Sequence, residues 1–122
     1  RATDVERCIT SRTKIIVPIH TYGNVCEMDE IMRFADKNSI AVVEDAAESF
    51  ACRYNGKLSG SYGTIGSFSF QATKTIATGE GGMAISADSS LVAIMRAHRD
   101  GKVEAPAPRL FSPRRAKAVR PH

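Results

Sequence analysis

An aspartate at the end of an apolar run and a lysine isolated among uncharged residues are the side chains whose types and spacing suit chemistry. Asp45 closes Ile40-Ala41-Val42-Val43-Glu44-Asp45, with no basic residue near it in sequence. Open α/β sheets place their ligands at the carboxyl ends of such strands. A carboxylate there needs a cationic or hydrogen-bonding partner. Asp45-Ala46-Ala47-Glu48 is also a capping-type pattern, so a helix cap is the competing reading. Lys74 follows Ser69-Phe70-Gln71-Ala72-Thr73 and is the lone charge between Lys57 and Glu80. That isolation suits a desolvated amine of the kind Schiff-base chemistry requires. A lysine snorkelling from a surface loop is the alternative. Gly60, Gly63 and Gly66 match neither G-x-G-x-x-G nor a Walker A loop, because Lys57 precedes the run, and they read as turns.

These residues need elements to position them. Residues 14–20 (KIIVPIH) form a short β-branched run ended by Tyr22-Gly23-Asn24, which predicts a buried parallel strand. Met28, Ile31, Met32 and Ala35 then recur at helical spacing over 28–38, with Asp29 and Glu30 early and Lys37 late, as the helix dipole favours. Residues 40–45 make a second buried strand, and the three together predict a right-handed βαβ unit. Further on, 54–60 reads as a hairpin, 67–70 and 83–86 as short strands, and 78–82 (TGEGG) as a turn. Asp88 or Ser89 caps a helix with Leu91, Val92 and Met95 on one face, ending near Gly101.

A chain of 122 residues holds one domain. With 43% hydrophobic and 25% charged residues it belongs with ordinary globular chains, which excludes collagen-like and wholly disordered readings. No apolar run approaches the roughly 18 residues of a membrane helix. The net charge of +4 conceals an uneven distribution. Residues 96–122 carry eight basic and two acidic side chains, and residues 1–95 carry nine basic and eleven acidic. The excess sits in a proline-rich tail with one aromatic, Phe111, so no nucleic-acid partner is expected. Residues 1–101 read as the folded part and 102–122 as a tail that is disordered or foreign. The first residue is Arg1 and no targeting pattern follows, so the chain reads as a piece of a longer one. Cys8, Cys26 and Cys52 form no C-x-x-C pair, and His20, His98 and His122 no H-E-x-x-H pattern. Reduced thiols, a cytoplasmic location and no metal site are the expectation.

Four segments, in order, resemble one family. Ile16-Val17-Pro18-Ile19-His20-Thr21-Tyr22-Gly23, Val43-Glu44-Asp45-Ala46-Ala47-Glu48-Ser49, Gly66-Ser67-Phe68-Ser69-Phe70-Gln71-Ala72-Thr73-Lys74 and Thr78-Gly79-Glu80-Gly81-Gly82 resemble the DegT/DnrJ/EryC1/StrS sugar aminotransferases. The resemblance covers roughly residues 8 to 100 and weakens from about Lys102. It implies an α/β fold: the central part of the large domain of the type I pyridoxal-phosphate (PLP) aminotransferase fold, a mostly parallel sheet with flanking helices. It also implies pyridoxal 5'-phosphate as cofactor, a nucleotide-linked keto sugar as acceptor, glutamate as amino donor and a homodimer.

Residue by residue, the resemblance makes Lys74 the lysine that bonds the cofactor and then shuttles a proton. Asp45 matches the aspartate that pairs with the pyridinium nitrogen. Glu48 falls where the family has Gln or Glu beside the ring's phenolic oxygen, and Ser69 matches a serine on the phosphate. His20 ends the preceding strand and is expected near the ring. Gln71, Ala51 and Thr64 depart from the family's usual residues. Family members also carry an upstream phosphate cradle with a stacking aromatic, and a smaller C-terminal domain, that these residues do not include. Relatives that dehydrate such sugars are a competing activity, and an inactive fragment is a third reading. Some of those dehydrating relatives are known for a His in the lysine's place, so Lys74 points to transfer.

Overall fold

The computed structural model describes residues 1–102. The expectation of a disordered or foreign tail therefore lies, from residue 103 onward, outside the described residues. Four strands make one sheet in the order β1 (Ile15–Ile16), β2 (Ala41–Asp45), β5 (Ile65–Ser69), β6 (Gly82–Ile85). The first three are parallel, and β6 runs antiparallel to β5. β3 (Arg53–Tyr54) and β4 (Lys57–Leu58) form a separate hairpin. Helices α1 (Ala2–Cys8), α2 (Met28–Lys37) and α3 (Ser89–Arg99) flank the sheet. This is the α/β architecture with a mostly parallel sheet that the resemblance implies.

The core lies between α2 and the sheet. Met28, Ile31, Phe34 and Ala35 bury against Ile40 and Val42, and burial of each large side chain contributes about 1.5–3 kcal/mol. Met32, expected on this face, sits at its margin, and Phe34 takes the central place with the Arg33 guanidinium 4.9 Å above its ring. α1 has no apolar period to announce it. It forms because Ala2 buries against α2 and donates its N–H to the Glu27 carboxylate at 2.8 Å.

Local signals elsewhere act as their chemistry requires. Asn55 and Gly56 both adopt positive φ, 46° and 81°, the requirement of a two-residue hairpin turn. Asp88 caps α3, its carboxylate accepting the N–H groups of Ser90 and Leu91, an arrangement that contributes about 1 kcal/mol. Ala51, where the family usually has glycine, stands at φ 62°, so its Cβ meets the strain that glycine avoids. Ala51→Gly is expected to raise the thermal unfolding midpoint, and an unchanged or lower midpoint would contradict that strain.

The strand expected over 14–20 is shorter and less buried than its composition suggested. Regular pairing covers Ile15 and Ile16 and resumes only as the single bridge Ile19–Asp45, because Pro18 has no N–H to continue the ladder. Pro18 and His20 point inward, whereas Ile15, Val17 and Ile19 remain 42%, 56% and 59% exposed on the opposite face. α3 has no fully buried residue. A parallel sheet normally buries both faces. The chain by itself is therefore expected to unfold over a broad denaturant range at low midpoint. A sharp cooperative transition by circular dichroism would contradict this.

Candidate active site

β2 and β5 deliver the acidic and hydroxyl side chains to one edge. They run parallel, with Asp45 opposite Ser67, so Asp45 and Ser69 both stand at the carboxyl end of the sheet. Side chains alternate along a strand. Val42 and Glu44 therefore face the buried side, and Asp45 projects from the other. No helix follows Asp45. Its carboxylate accepts the Ala47 N–H at 3.1 Å, which closes a turn instead of capping a helix.

Lys74 sits on the loop between β5 and β6. Phe70 pins that loop, donating its N–H to Gly81 and accepting the Thr78 N–H, both at 2.9 Å. Phe50 packs edge-on against Phe68 and Phe70, with ring centroids 5.7 and 6.1 Å away, and holds the apolar side of β5. The Lys74 ammonium reaches the Glu48 carboxylate at 3.4 Å. The other Glu48 oxygen accepts the Tyr22 N–H at 2.9 Å. That N–H and the Lys74 amine hold the Glu48 carboxyl below the usual carboxylate range. Tyr22 is itself in the left-handed region, φ 52°, and 91% exposed, and non-glycine residues held in this conformation gather at functional sites. Ser69 accepts the Gln71 N–H at 3.4 Å.

The structure thus joins Lys74 to Glu48 and sets Asp45 and Ser69 on the same edge. It turns the His20 side chain to the buried face, while the His20 N–H meets the Asp45 carbonyl at 3.0 Å. The His20 side chain is fully buried: Nδ1 accepts the Cys26 N–H and Nε2 lies 3.1 Å from Glu44. His20, expected near a cofactor ring, thus presents its ring to the buried side of the sheet. Both ring nitrogens are taken and neither ring face meets open space.

Glu44 is the residue that sequence reasoning passed over. It is completely buried, and besides His20 it accepts the N–H groups of Gly60, Tyr62 and Gly63 at 2.6–2.7 Å. The glycine spacing serves this grip. A Cβ at Gly63 would fall 2.5 Å from the Val42 carbonyl oxygen, and one at Gly66 would fall 2.0 Å from that of Gly60. Two adjacent carboxylates ending a buried strand were the available signal, since alternation must turn one of them inward. Burial by itself would raise the Glu44 pKa. The His20 bond and the N–H groups of Gly63, Gly60 and Tyr62 outweigh it and hold the carboxyl below its ordinary 4.5. A depressed native value stabilises the fold above the unfolded value and loses that contribution as pH falls through the native one. The unfolding midpoint is therefore expected to drop between about pH 5 and pH 2, and less steeply in Glu44→Gln. A wild-type acid limb no steeper than the variant's would contradict this.

Among the described residues no cluster of His, Cys, Asp and Glu could hold a metal, and no helix is long and apolar enough to cross a membrane. The model of the DegT/DnrJ/EryC1/StrS aminotransferase family matches residues 1–112, beyond both ends of the span from 8 to 100 that the motifs mark. The GDP-perosamine synthase of Caulobacter vibrioides is 48% identical over 95 residues, 78% of this chain and 26% of its own. A solved aminotransferase from Psychrobacter cryohalolentis is 35% identical with a TM-score of 0.79, over 90% of this chain and 30% of that one. The GDP-4-keto-6-deoxy-D-mannose-3-dehydratase of E. coli, solved with bound hydrated PLP, is 30% identical with a TM-score of 0.74, over 79% of this chain and 25% of that one. The chain spans about a quarter to a third of the length of these relatives. With a family match over most of its residues, the chain belongs to the DegT/DnrJ/EryC1/StrS aminotransferase family.

Proposed function

We propose that these residues carry the cofactor-holding edge of a PLP-dependent aminotransferase that moves an amino group from glutamate to a keto group on a nucleotide-linked sugar. The observation that carries this reading is the Lys74–Glu48 pair at 3.4 Å on the carboxyl edge where Asp45 and Ser69 end their strands. The donor set fits the cofactor: an amine for its aldehyde carbon, a carboxylate for its ring nitrogen and a hydroxyl for its phosphate. When bound, PLP supplies an electron-poor ring that takes up the electrons of a broken C–H bond. Lys74 holds and moves the proton at Nζ, and the pinned loop keeps that amine at the edge. Asp45, on the open face of β2, would offer its carboxylate to a cationic ring nitrogen.

Kinship with perosamine synthase and with other sugar aminotransferases supports a nucleotide-linked sugar as acceptor. A dehydratase is also among the relatives, and Lys74 favours transfer over dehydration. The complete protein is read as a cytoplasmic homodimer, and the free thiols of Cys8, Cys26 and Cys52 suit a reducing compartment. The test supplies the complete protein with PLP, glutamate and a nucleotide-linked keto sugar. One 2-oxoglutarate should appear for each aminosugar formed. Loss of a hydroxyl from the sugar with no 2-oxoglutarate would favour the dehydratase reading.

A further inference from the structure

Three segments carry the proposed site, and one buried carboxylate touches all of them. The turn after β1 supplies the Tyr22 N–H that holds Glu48. β2 ends in Asp45, and the loop of residues 59–64 leads into β5, which continues to Ser69 and Lys74. Glu44 bonds the first segment through His20 and the third through Gly60, Tyr62 and Gly63. It belongs to the second itself, one peptide from Asp45. We propose that Glu44, which faces away from the reacting edge, is the positioning residue that fixes Asp45, the Glu48 anchor and the start of β5 relative to one another.

The peptide between Glu44 and Asp45 is rigid, so whatever immobilises Glu44 on the buried side also sets the aim of Asp45 on the open side. The main chain repeats the tie. His20 donates its N–H to the Asp45 carbonyl at 3.0 Å, Asp45 donates to Pro18 at 2.9 Å, and Ser67 Oγ donates to the Glu44 carbonyl at 3.0 Å. The carboxylate is an acceptor only, and four donors converge on it, so its role needs both oxygens unprotonated. Glutamine at 44 would place an NH2 group against at least one N–H donor, and that donor would be left buried and unpaired. Ser59, in the same loop, is committed to the Ser49 carbonyl at 2.5 Å.

This inference rests on the function proposed above, and the experiment separates the two. The complete PLP-loaded protein and its Glu44→Gln variant are compared below both unfolding midpoints, reading kcat, KM, the visible band of the bound cofactor and the lysine labelled by borohydride. Displacement of a catalytic group by about 1 Å costs about 10²-fold, so kcat should fall by that factor with KM little changed. The visible band should shift while Lys74 remains the labelled lysine. A variant with wild-type kcat and a wild-type band overturns the proposal, however low its midpoint. If Glu44→Gln fails to fold, His20→Leu takes its place, since it frees only the turn after β1 and leaves the three loop bonds. It should lower kcat by about tenfold without moving the label, and wild-type kcat there overturns the proposal equally. A wild-type protein labelled at another lysine overturns the functional reading itself.

Discussion

Replacing Lys74 with alanine in the complete protein is expected to abolish amino transfer, by about 10⁴-fold or more, and to remove the visible absorbance of the bound cofactor. The size of the effect follows from the two roles proposed for one nitrogen, bonding the cofactor and carrying a proton. The fold should survive. Lys74 sits on a loop, its side chain is 23% exposed, and its polar partner is Glu48. The turn that holds it uses the Lys74 backbone N–H, donated to Gln71 at 2.9 Å, which alanine keeps. Glu48 retains its bond to Tyr22. Circular dichroism should therefore match wild type while activity and colour vanish. A variant that keeps its colour would show that another amine holds the cofactor.

Asp45→Asn is expected to cost about 10²–10³-fold in kcat while cofactor remains bound, the loss found when one preorganised electrostatic partner is removed. Asparagine keeps an oxygen for the Ala47 N–H, so the turn after β2 persists. It also keeps the main-chain bonds to Pro18 and His20. What would disappear is the carboxylate proposed to favour a protonated ring nitrogen. Cofactor affinity is expected to change far less, because in the proposed site Lys74 and the phosphate-binding groups would supply most of it. Turnover near wild type would make Asp45 a turn residue and nothing more.

The features legible in the sequence were those whose causes are local. The Asn55-Gly56 turn, the Asp88 cap and the charge-graded α2 each depend on residues within a few positions of one another. Those that were not legible depend on contacts distant in the chain. α1 owes its place to Ala2 and Glu27, 25 residues apart. The inward turn of His20 is caused by Glu44, 24 residues on, and no period in the strand could announce that pairing. Glycines that read as simple turns prove to be donors to a carboxylate on another strand. The site divides in the same way. Asp45 and Lys74 stood out by type and isolation, and their roles came from family resemblance. The Lys74–Glu48 pair, with Glu48 anchored by Tyr22, is a tertiary arrangement that brings residues 26 apart into contact.

Borohydride reduction of the complete PLP-loaded protein, followed by digestion and peptide mapping, tests whether Lys74 is the amine that holds the cofactor. One reduced, phosphopyridoxyl-bearing lysine is expected, in the peptide that contains Gln71-Ala72-Thr73-Lys74. Modification at Lys57 or Lys14, with Lys74 untouched, would contradict it.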